Sequence, residues 1–515
     1  MTAAPASRNV DGLIPRRVRL DRELPEEDSD LQAQAALSRA VLGRFRPRPP
    51  WSRLLSLAAL VLAALLFATA VTAYVVDSMA HVGAVLNWYD LNVYNDAGLI
   101  VRQLPSILYS WALTPGVKFT YTPFAAVIFA GGSLIPLTTL HWITSVAGLL
   151  SIPLTVWLAL GAMGSRGTRR TAVALAVGAL ALWTEPVTKA LSLGQLEPLL
   201  LLLVVWDLTR PDARRWKGAG VGLAAGIKLV PLIFIPYLLL AGKVRQAAVA
   251  VGMFAVTIVA GFIVLPGPSR LYWLTGYFVR PGRTGAVDAL VNQSLLGMMA
   301  RQFVGMNSTQ PVWFPVAITV AVAGIAVGAL LNRAGRPVQG WTLVGVTGVL
   351  VSPISWDHHW VWVVPFLAML AGLALASGDR LARWSWLGAL LVTAAVFGSW
   401  PWHYSGDDAY VPGRGLLGWY VQPPEIYQVT HLHGIKLLTW NLFVIAGCLM
   451  YLAIVAGAWR IWRAGRRRTG RPTARASMTE MLLARADAVL SGRPAASQRD
   501  PGIEVDDPEI RERAS

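Results

Sequence analysis

From Trp51 to Trp459 the chain alternates long apolar runs with short polar breaks. Many of the runs reach about 18 residues or more, the length that crosses the hydrocarbon core of a bilayer. They predict membrane spans at Ser52–Val76, His141–Ala162, Thr171–Thr184, Leu193–Leu208, Ala247–Leu265, Val312–Leu331, Trp341–Val351, Val361–Ala376, Leu387–Trp400 and Leu437–Trp459. Two apolar stretches fit a crossing badly. Tyr121–Pro136 has only about 16 residues and is expected to lie in the interface plane, or to dip in and return at Gly131-Gly132. Gly218–Ala241 is interrupted by Lys228, Pro231 and Pro236 and is flanked on both sides by basic residues, which predicts a broken helix pair at membrane depth. The fold class is therefore all-α, a polytopic membrane helical bundle of about ten crossings with in-plane and broken helices.

Composition strengthens this picture. Of 515 residues, 55% are hydrophobic and 14% charged, and the mean hydropathy is +0.51. A soluble protein carries about 25% charged residues. The 22 tryptophans suit a chain with many interfacial anchors.

The net charge of +17 is concentrated at the two ends, as Arg16, Arg17, Arg19 and Arg22 before the first span and Arg460, Arg463, Arg466, Arg467 and Arg468 after the last. The positive-inside rule then places both termini in the cytoplasm. Nucleic-acid binding would call for interleaved aromatics or a known binding fold, and neither is present in these segments. The division expected is a polar tail over residues 1–51, a membrane domain over 52–461 and a basic, polar tail over 462–515 with a short amphipathic piece near Met478–Leu490. The first apolar run lacks a small-residue cleavage site and is expected to stay as an anchor. Cys448 is the single cysteine, which excludes an internal disulfide framework and a thiolate metal cluster.

On this topology Asp90, Gln195, Asn292, Gln293, Asp357, His358 and His359 gather at or near the outer membrane boundary, with Lys228 beside them or placed deeper by its broken helix. Ionisable groups within membrane segments are costly and tend to face a cavity or a partner. Asp90, in Asn87-Trp88-Tyr89-Asp90-Leu91-Asn92-Val93-Tyr94, could accept a proton from a sugar hydroxyl as a general base, with Asp77 and Asp96 as rivals. In Ser352-Pro353-Ile354-Ser355-Trp356-Asp357-His358-His359-Trp360 the paired histidines are better read as donors to a phosphate than as metal ligands. Adjacent side chains rarely converge, and the sequence offers no third well-spaced ligand, so no metal or cofactor is expected. Lys228 is a second cation for the same phosphate, or else snorkels to the headgroups.

These segments resemble, in the same order, the motifs of bacterial polyprenyl-phosphate-mannose-dependent α-1,2-mannosyltransferases of the GT-C superfamily, of actinobacterial type. The motifs are Asp90-Leu91-Asn92-Val93-Tyr94, Phe119-Thr120-Tyr121-Thr122-Pro123, Gly194-Gln195, Gly226-Ile227-Lys228-Leu229-Val230-Pro231, Asn292-Gln293-Ser294-Leu295 and Ser352-Pro353 through His359. The second departs from the family's usual Tyr-Pro-Pro by having Thr122. The resemblance spans roughly Leu54 to Tyr451 and implies a GT-C fold with an in-plane helix after the first outer loop. It implies Asp90 as catalytic base and an inverting single displacement. Lys228, His358 and His359 would bind the donor phosphate, and Tyr94, Gln195, Asn292, Gln293 and Asp357 would contact sugar or acceptor.

The partners implied are a polyprenyl-phosphate mannose donor held in the bilayer and a glycolipid acceptor of phosphatidylinositol mannoside or lipomannan type. The site would face the periplasm from the plasma membrane. Mannose against another lipid-carried sugar stays open at this level. The competing function class is a transporter or flippase for a lipid-linked or small polar substrate, which would more often show paired repeats and polar groups at mid-bilayer.

Overall fold

A computed structural model describes residues 50–80, 82, 86–111, 113, 117–280, 283–302, 306–399, 415–417 and 432–469. Residues 1–49 and 470–515, nearly all of the two expected tails with the amphipathic piece near Met478–Leu490, and most of the loop before the last span lie outside the described residues. The chain divides into two units at Leu62/Ala63, and every candidate site residue lies in the second.

Among the described residues the regular secondary structure is helical, broken only by isolated bridges. The helices of seven or more residues are α1 Pro50–Ala80, α2 Tyr89–Gln103, α3 Pro123–Gly132, α4 Leu137–Ala162, α5 Gly167–Leu182, α6 Glu185–Leu193, α7 Glu197–Thr209, α8 Ala219–Ile227, α9 Phe234–Leu240 and α10 Val244–Val264. They continue with α11 Leu295–Gln302, α12 Met306–Arg333, α13 Pro337–Val351, α14 Val363–Ala376, α15 Arg380–Val396 and α16 Leu442–Thr469. A 3-10 turn, Asp357–Trp362, leads directly into α14.

Among the described residues six helical segments are long and apolar enough to cross a membrane, or seven if α6 and α7, bent by 116° to one another, form one broken span. The protein is thus a multi-pass, all-α membrane protein. The expected count of about ten also needs α5, α13 and α15, of 16, 15 and 17 residues, which fall short of the length for a straight crossing.

Two expected irregularities appear. α3 has ten residues, about 15 Å of helix, too short to cross. Its start has a clear cause: Pro123 occupies the first turn, and the Thr122 hydroxyl accepts from the Ala125 N–H at 3.1 Å. The 218–241 stretch breaks where expected. α8 stops at Ile227, Lys228 is extended at φ −136°, and Pro231 sits in a short 3-10 turn before α9. Proline lacks an N–H and disfavours helix at the residue before it, so Pro231 favours a break at this point.

Packing gathers into two apolar clusters. The larger is centred on α4, α7, α13 and α14, with Val156, Val205, Leu343 and Leu367 fully enclosed. The smaller is an aromatic layer of Tyr94, Tyr109, Phe119, Phe129, Tyr272 and Tyr277 beneath α2 and α3. α2 packs on α3, α8 on α10, α7 on both α4 and α8, and the 357–362 turn on α6 and α7. These pairings draw the N-terminus of α2, the α6–α7 bend, the α8 break and the 357–362 turn to one region.

Candidate active site

Asp90 sits in the first turn of α2, where a carboxylate is favoured by the helix dipole. The chain enters that helix through Trp88, at φ 46° the one non-glycine residue with positive φ among those described. An L-residue there costs about 1–2 kcal/mol, and the surroundings hold it from several sides. The Trp88 backbone N–H donates to the Ser192 carbonyl at 2.9 Å, its indole donates to Ser145 Oγ at 3.0 Å, and its ring stacks on His141 at 4.4 Å. His141 Nε2 lies 2.8 Å from Asn92 Oδ1, one turn further along α2.

The α6–α7 bend reaches Asp90 through Gly194, which ends α6 at φ 68°. A Cβ there would lie 2.7 Å from Leu91 Cβ, so both the backbone twist and the contact require glycine. The next residue, Gln195, donates from Nε2 to Asp90 Oδ2. Its Oε1 accepts from the Tyr94 phenol at 2.6 Å and from the Tyr121 phenol at 3.2 Å, and the two phenol oxygens are 2.6 Å apart. A phenol donating to the amide oxygen leaves the amide nitrogen facing the carboxylate, so the network selects one orientation of Gln195.

Burial, followed by the neighbouring acidic and phenolic groups, holds both tyrosines well above the usual phenol range, so they stay protonated donors. Burial also raises the Asp90 carboxyl. Nearby His358 draws it back, Glu197 pushes it up, and the Gln195 hydrogen bond and Lys228 lower it, with a net upward displacement.

Lys228 arrives from the α8 break. The Thr122 hydroxyl donates to the Gly226 carbonyl, fastening the start of α3 to the end of α8, and the Lys228 ammonium lies 5.4 Å from the centre of the Tyr121 ring. Lys228 Nζ pairs with Glu197 Oε1 and contacts His359 Nε2 at 3.0 Å, while that nitrogen is 3.4 Å from the same glutamate oxygen. An ammonium only donates, so His359 Nε2 must accept and its ring proton resides on Nδ1.

The histidines are placed by a bridge between Asn292 and Trp356. The Gln293 N–H donates to the Ser355 carbonyl at 2.7 Å and the Asp357 N–H to the Val291 carbonyl at 2.8 Å. Asn292 donates to the Val287 and Pro353 carbonyls and accepts from the Ser355 N–H; Gln293 donates to the Leu290 and Trp440 carbonyls and accepts from the Phe443 N–H. Both amides, expected as carbohydrate contacts, are fully buried and committed at both ends to backbone groups.

Behind them Arg301, fully buried, donates to the Ala289 and Asn292 carbonyls and to Asn441 Oδ1. Its burial lowers the guanidinium pKa to about 9, against the opposing pull of Asp288. Asp357 Oδ1 accepts from the His358 backbone N–H at 2.7 Å and lies 3.1 Å from His358 Nδ1. A carboxylate accepts, so Nδ1 carries a proton. His358 Nε2, Asp357 Oδ2 and Glu197 Oε2 are buried without a hydrogen-bond partner among the described residues.

The fold therefore joins Asp90, Tyr94, Gln195, Lys228, His358 and His359, brings Asp357 in behind His358, and turns Asn292 and Gln293 into the supporting wall. Sequence reasoning missed Glu197 and the Tyr121 hydroxyl. Glu197 carried a signal: an acidic residue ahead of the run Pro198-Leu199-Leu200-Leu201, inside the stretch expected to span. It also supplies the third ligand whose absence had weighed against a metal. Glu197, His358 and His359 offer ligand atoms within 4.8 Å of one another. Lys228, however, is already seated on two of the three.

Comparison with known proteins gives the family. Residues 119–353 match the model of glycosyltransferase family 87. A Mycobacterium tuberculosis protein named polyprenol-phosphate-mannose-dependent alpha-(1-2)-phosphatidylinositol pentamannoside mannosyltransferase is 31% identical over 65% of this chain and 81% of its own length. A protein of the same name from Mycolicibacterium smegmatis is 31% identical over 72% of this chain and 92% of its own.

The chain belongs to glycosyltransferase family 87.

A second M. tuberculosis relative, named as the corresponding phosphatidylinositol mannoside mannosyltransferase, is 30% identical over 54% of this chain and 70% of its own length. No solved structure matches the chain. Membership of family 87 makes the protein a membrane glycosyltransferase and sets aside the transporter or flippase reading. The matched region contains Tyr121, Gln195, Glu197, Lys228, Asn292 and Gln293, and ends just before the Asp357-His358-His359 turn.

Proposed function

We propose that this glycosyltransferase moves mannose from a polyprenyl-phosphate mannose donor to a phosphatidylinositol mannoside acceptor, in α-1,2 linkage, at the outer face of the plasma membrane. The names of the relatives support both substrates. The arginine-rich ends support a cytoplasmic location for both termini and an outward-facing site.

The observation that carries the reading is the meeting of an oriented carboxylate with a phosphate-seeking cation: Asp90 held by Gln195, beside the Lys228–Glu197–His359 group. In the step, an acceptor hydroxyl attacks the anomeric carbon and Asp90 takes its proton. The new C–O bond forms as the bond from that carbon to the phosphate oxygen breaks, and the carrier phosphate leaves with the electron pair. Attack opposite the leaving group inverts the centre, so a β-linked donor gives an α-linked product. Lys228 and His358 Nε2, when protonated, stabilise the negative charge gathering on the phosphate. His359 holds Lys228 in place, and Tyr94, Tyr121 and Gln195 keep Asp90 aimed at the acceptor.

The test uses purified protein in lipid nanodiscs with radiolabelled polyprenyl-phosphate mannose and a phosphatidylinositol mannoside. Wild-type protein is expected to form an α-1,2-linked product, and Asp90→Asn to form none while still binding donor. Transfer at an unaltered rate by Asp90→Asn would remove Asp90 as base. Use of a nucleotide sugar in place of the lipid donor would sink the substrate assignment.

A further inference from the structure

We propose that Glu197 is a positioning residue that shares Lys228 with the donor phosphate and thereby sets how readily the spent lipid phosphate leaves. The proposal rests on the reading of Lys228 as the phosphate cation.

Glu197 opens α7 directly after the α6–α7 bend, and Lys228 lies where α8 breaks. Their side chains are 7% and 19% exposed. Two opposite charges so enclosed are tolerable only as a pair, so each fixes the charge state and place of the other. Of the three ammonium hydrogens, one is given to Glu197 Oε1 and one to His359 Nε2, which leaves one for a phosphate oxygen. The second glutamate oxygen, Oε2, is buried with no hydrogen-bond partner among the described residues. A carboxylate so placed repels an anion that approaches the same lysine.

The chemistry of the reaction makes this repulsion useful. The donor is a phosphodiester with a single negative charge. Cleavage of its glycosyl bond leaves a phosphomonoester whose second ionisation falls near pH 6, so at neutral pH the spent carrier is the more negative of the two. A lysine without a counterion would grip the product more tightly than the donor. A fixed carboxylate on that lysine weakens both, and weakens the dianion more, because the repulsion scales with charge. The same pairing argues against a metal here, since the ammonium already bridges Glu197 and His359.

Glu197→Gln preserves the shape of the side chain and an oxygen for Lys228, and removes the charge. With a short-chain polyprenyl phosphate as product inhibitor, the variant is expected to bind it about tenfold or more tightly, with a lower donor KM and a lower kcat. Glu197→Asp, which keeps the charge, is expected to retain inhibition within about threefold of wild type. Lys228→Met, which removes the cation itself, is expected to weaken inhibitor binding, opposite in sign to Glu197→Gln. Inhibition unchanged in Glu197→Gln, or weakened alike in the Gln and Asp variants, would overturn the proposal. So would loss of wild-type transfer in a chelator with recovery on adding Mn²⁺. Because wild-type transfer from the lipid donor is measured first, failure of the broader functional reading shows there, independently of the variants.

Discussion

Gln195 donates its amide hydrogen to Asp90 across 105 positions of sequence, and the Tyr94 phenol at 2.6 Å decides which end of the amide faces the carboxylate. In the proposed reaction the base needs an oriented lone pair as much as a basic one, and this network supplies the orientation.

Replacing Gln195 tests that relationship. Gln195→Leu removes one hydrogen bond to a charged group, worth about 1.5–3 kcal/mol. A carboxylate that is gaining a proton profits less from that bond than the resting base does, so the expected fall of roughly ten- to a hundredfold in kcat/KM comes from lost orientation. The bond also lowers the Asp90 pKa, so its loss moves that pKa further up. A steady-state assay on Gln195→Leu checks the rate; donor affinity should change little.

The pH profile follows from the sign of the Asp90 shift. Its carboxyl lies above the ordinary carboxylate range because burial outweighs its cationic neighbours. The basic form appears only as pH rises through that raised value, so kcat/KM is expected to climb on an acid limb sited above the usual carboxylate pKa. Gln195→Leu should move the limb to still higher pH. A limb at the ordinary value, or one that shifts downward in the variant, would contradict the assignment.

The same shift bears on stability. A carboxyl whose pKa is raised by folding favours the folded state at low pH, and that contribution is lost as pH rises through the raised value. At neutral pH the ionised Asp90 is thus a net cost to folding. Asp90→Asn is expected to be inactive in transfer yet at least as resistant to heat as wild type, which a thermal unfolding scan in detergent measures.

Gly194 is predicted to be intolerant of any side chain. Gly194→Ala places an L-residue at φ 68° and a methyl 2.7 Å from Leu91, at an expected cost of about 1–2 kcal/mol. Since the strain falls between Asp90 and Gln195, activity should drop by at least about tenfold with only a modest fall in melting temperature. Comparing Gly194→Ala with Gly131→Ala, whose added methyl meets nothing within 4 Å, separates local strain from the loss of a glycine as such.

The wall behind the histidines makes a different prediction. Asn441 is the side-chain acceptor for the buried Arg301 guanidinium, and Arg301 in turn holds the Asn292 carbonyl. Asn441→Leu leaves two nitrogens of a buried guanidinium without that acceptor, with an expected loss of about 1–3 kcal/mol or somewhat more. The variant should melt at a lower temperature and lose activity in proportion to folded fraction, as parallel thermal and kinetic measurements would show.

Much of the architecture was legible in sequence because run length and proline placement act locally. The long spans, the short α3 and the break at Lys228 each follow from about 10–30 consecutive residues: an apolar run must be long enough to cross, and Pro231 denies the backbone a hydrogen bond. Asp90, Gln195, Lys228 and the histidines stood out because polar groups among apolar runs call for a partner. Thr122, noted as a departure in the second motif, proves to fasten α3 to the Gly226 carbonyl.

The identity of each partner was decided only by the tertiary structure. Asn292 and Gln293 look like free amides in sequence, and only the fold shows them spent on backbone groups from segments up to 150 positions away. Glu197 looked like part of a span until Lys228 and His359 met it, 31 and 162 positions later by residue number. Hydrophobic pattern reports which groups avoid water. It carries no information on which helix faces another, and the pairing of buried charges depends on that choice alone.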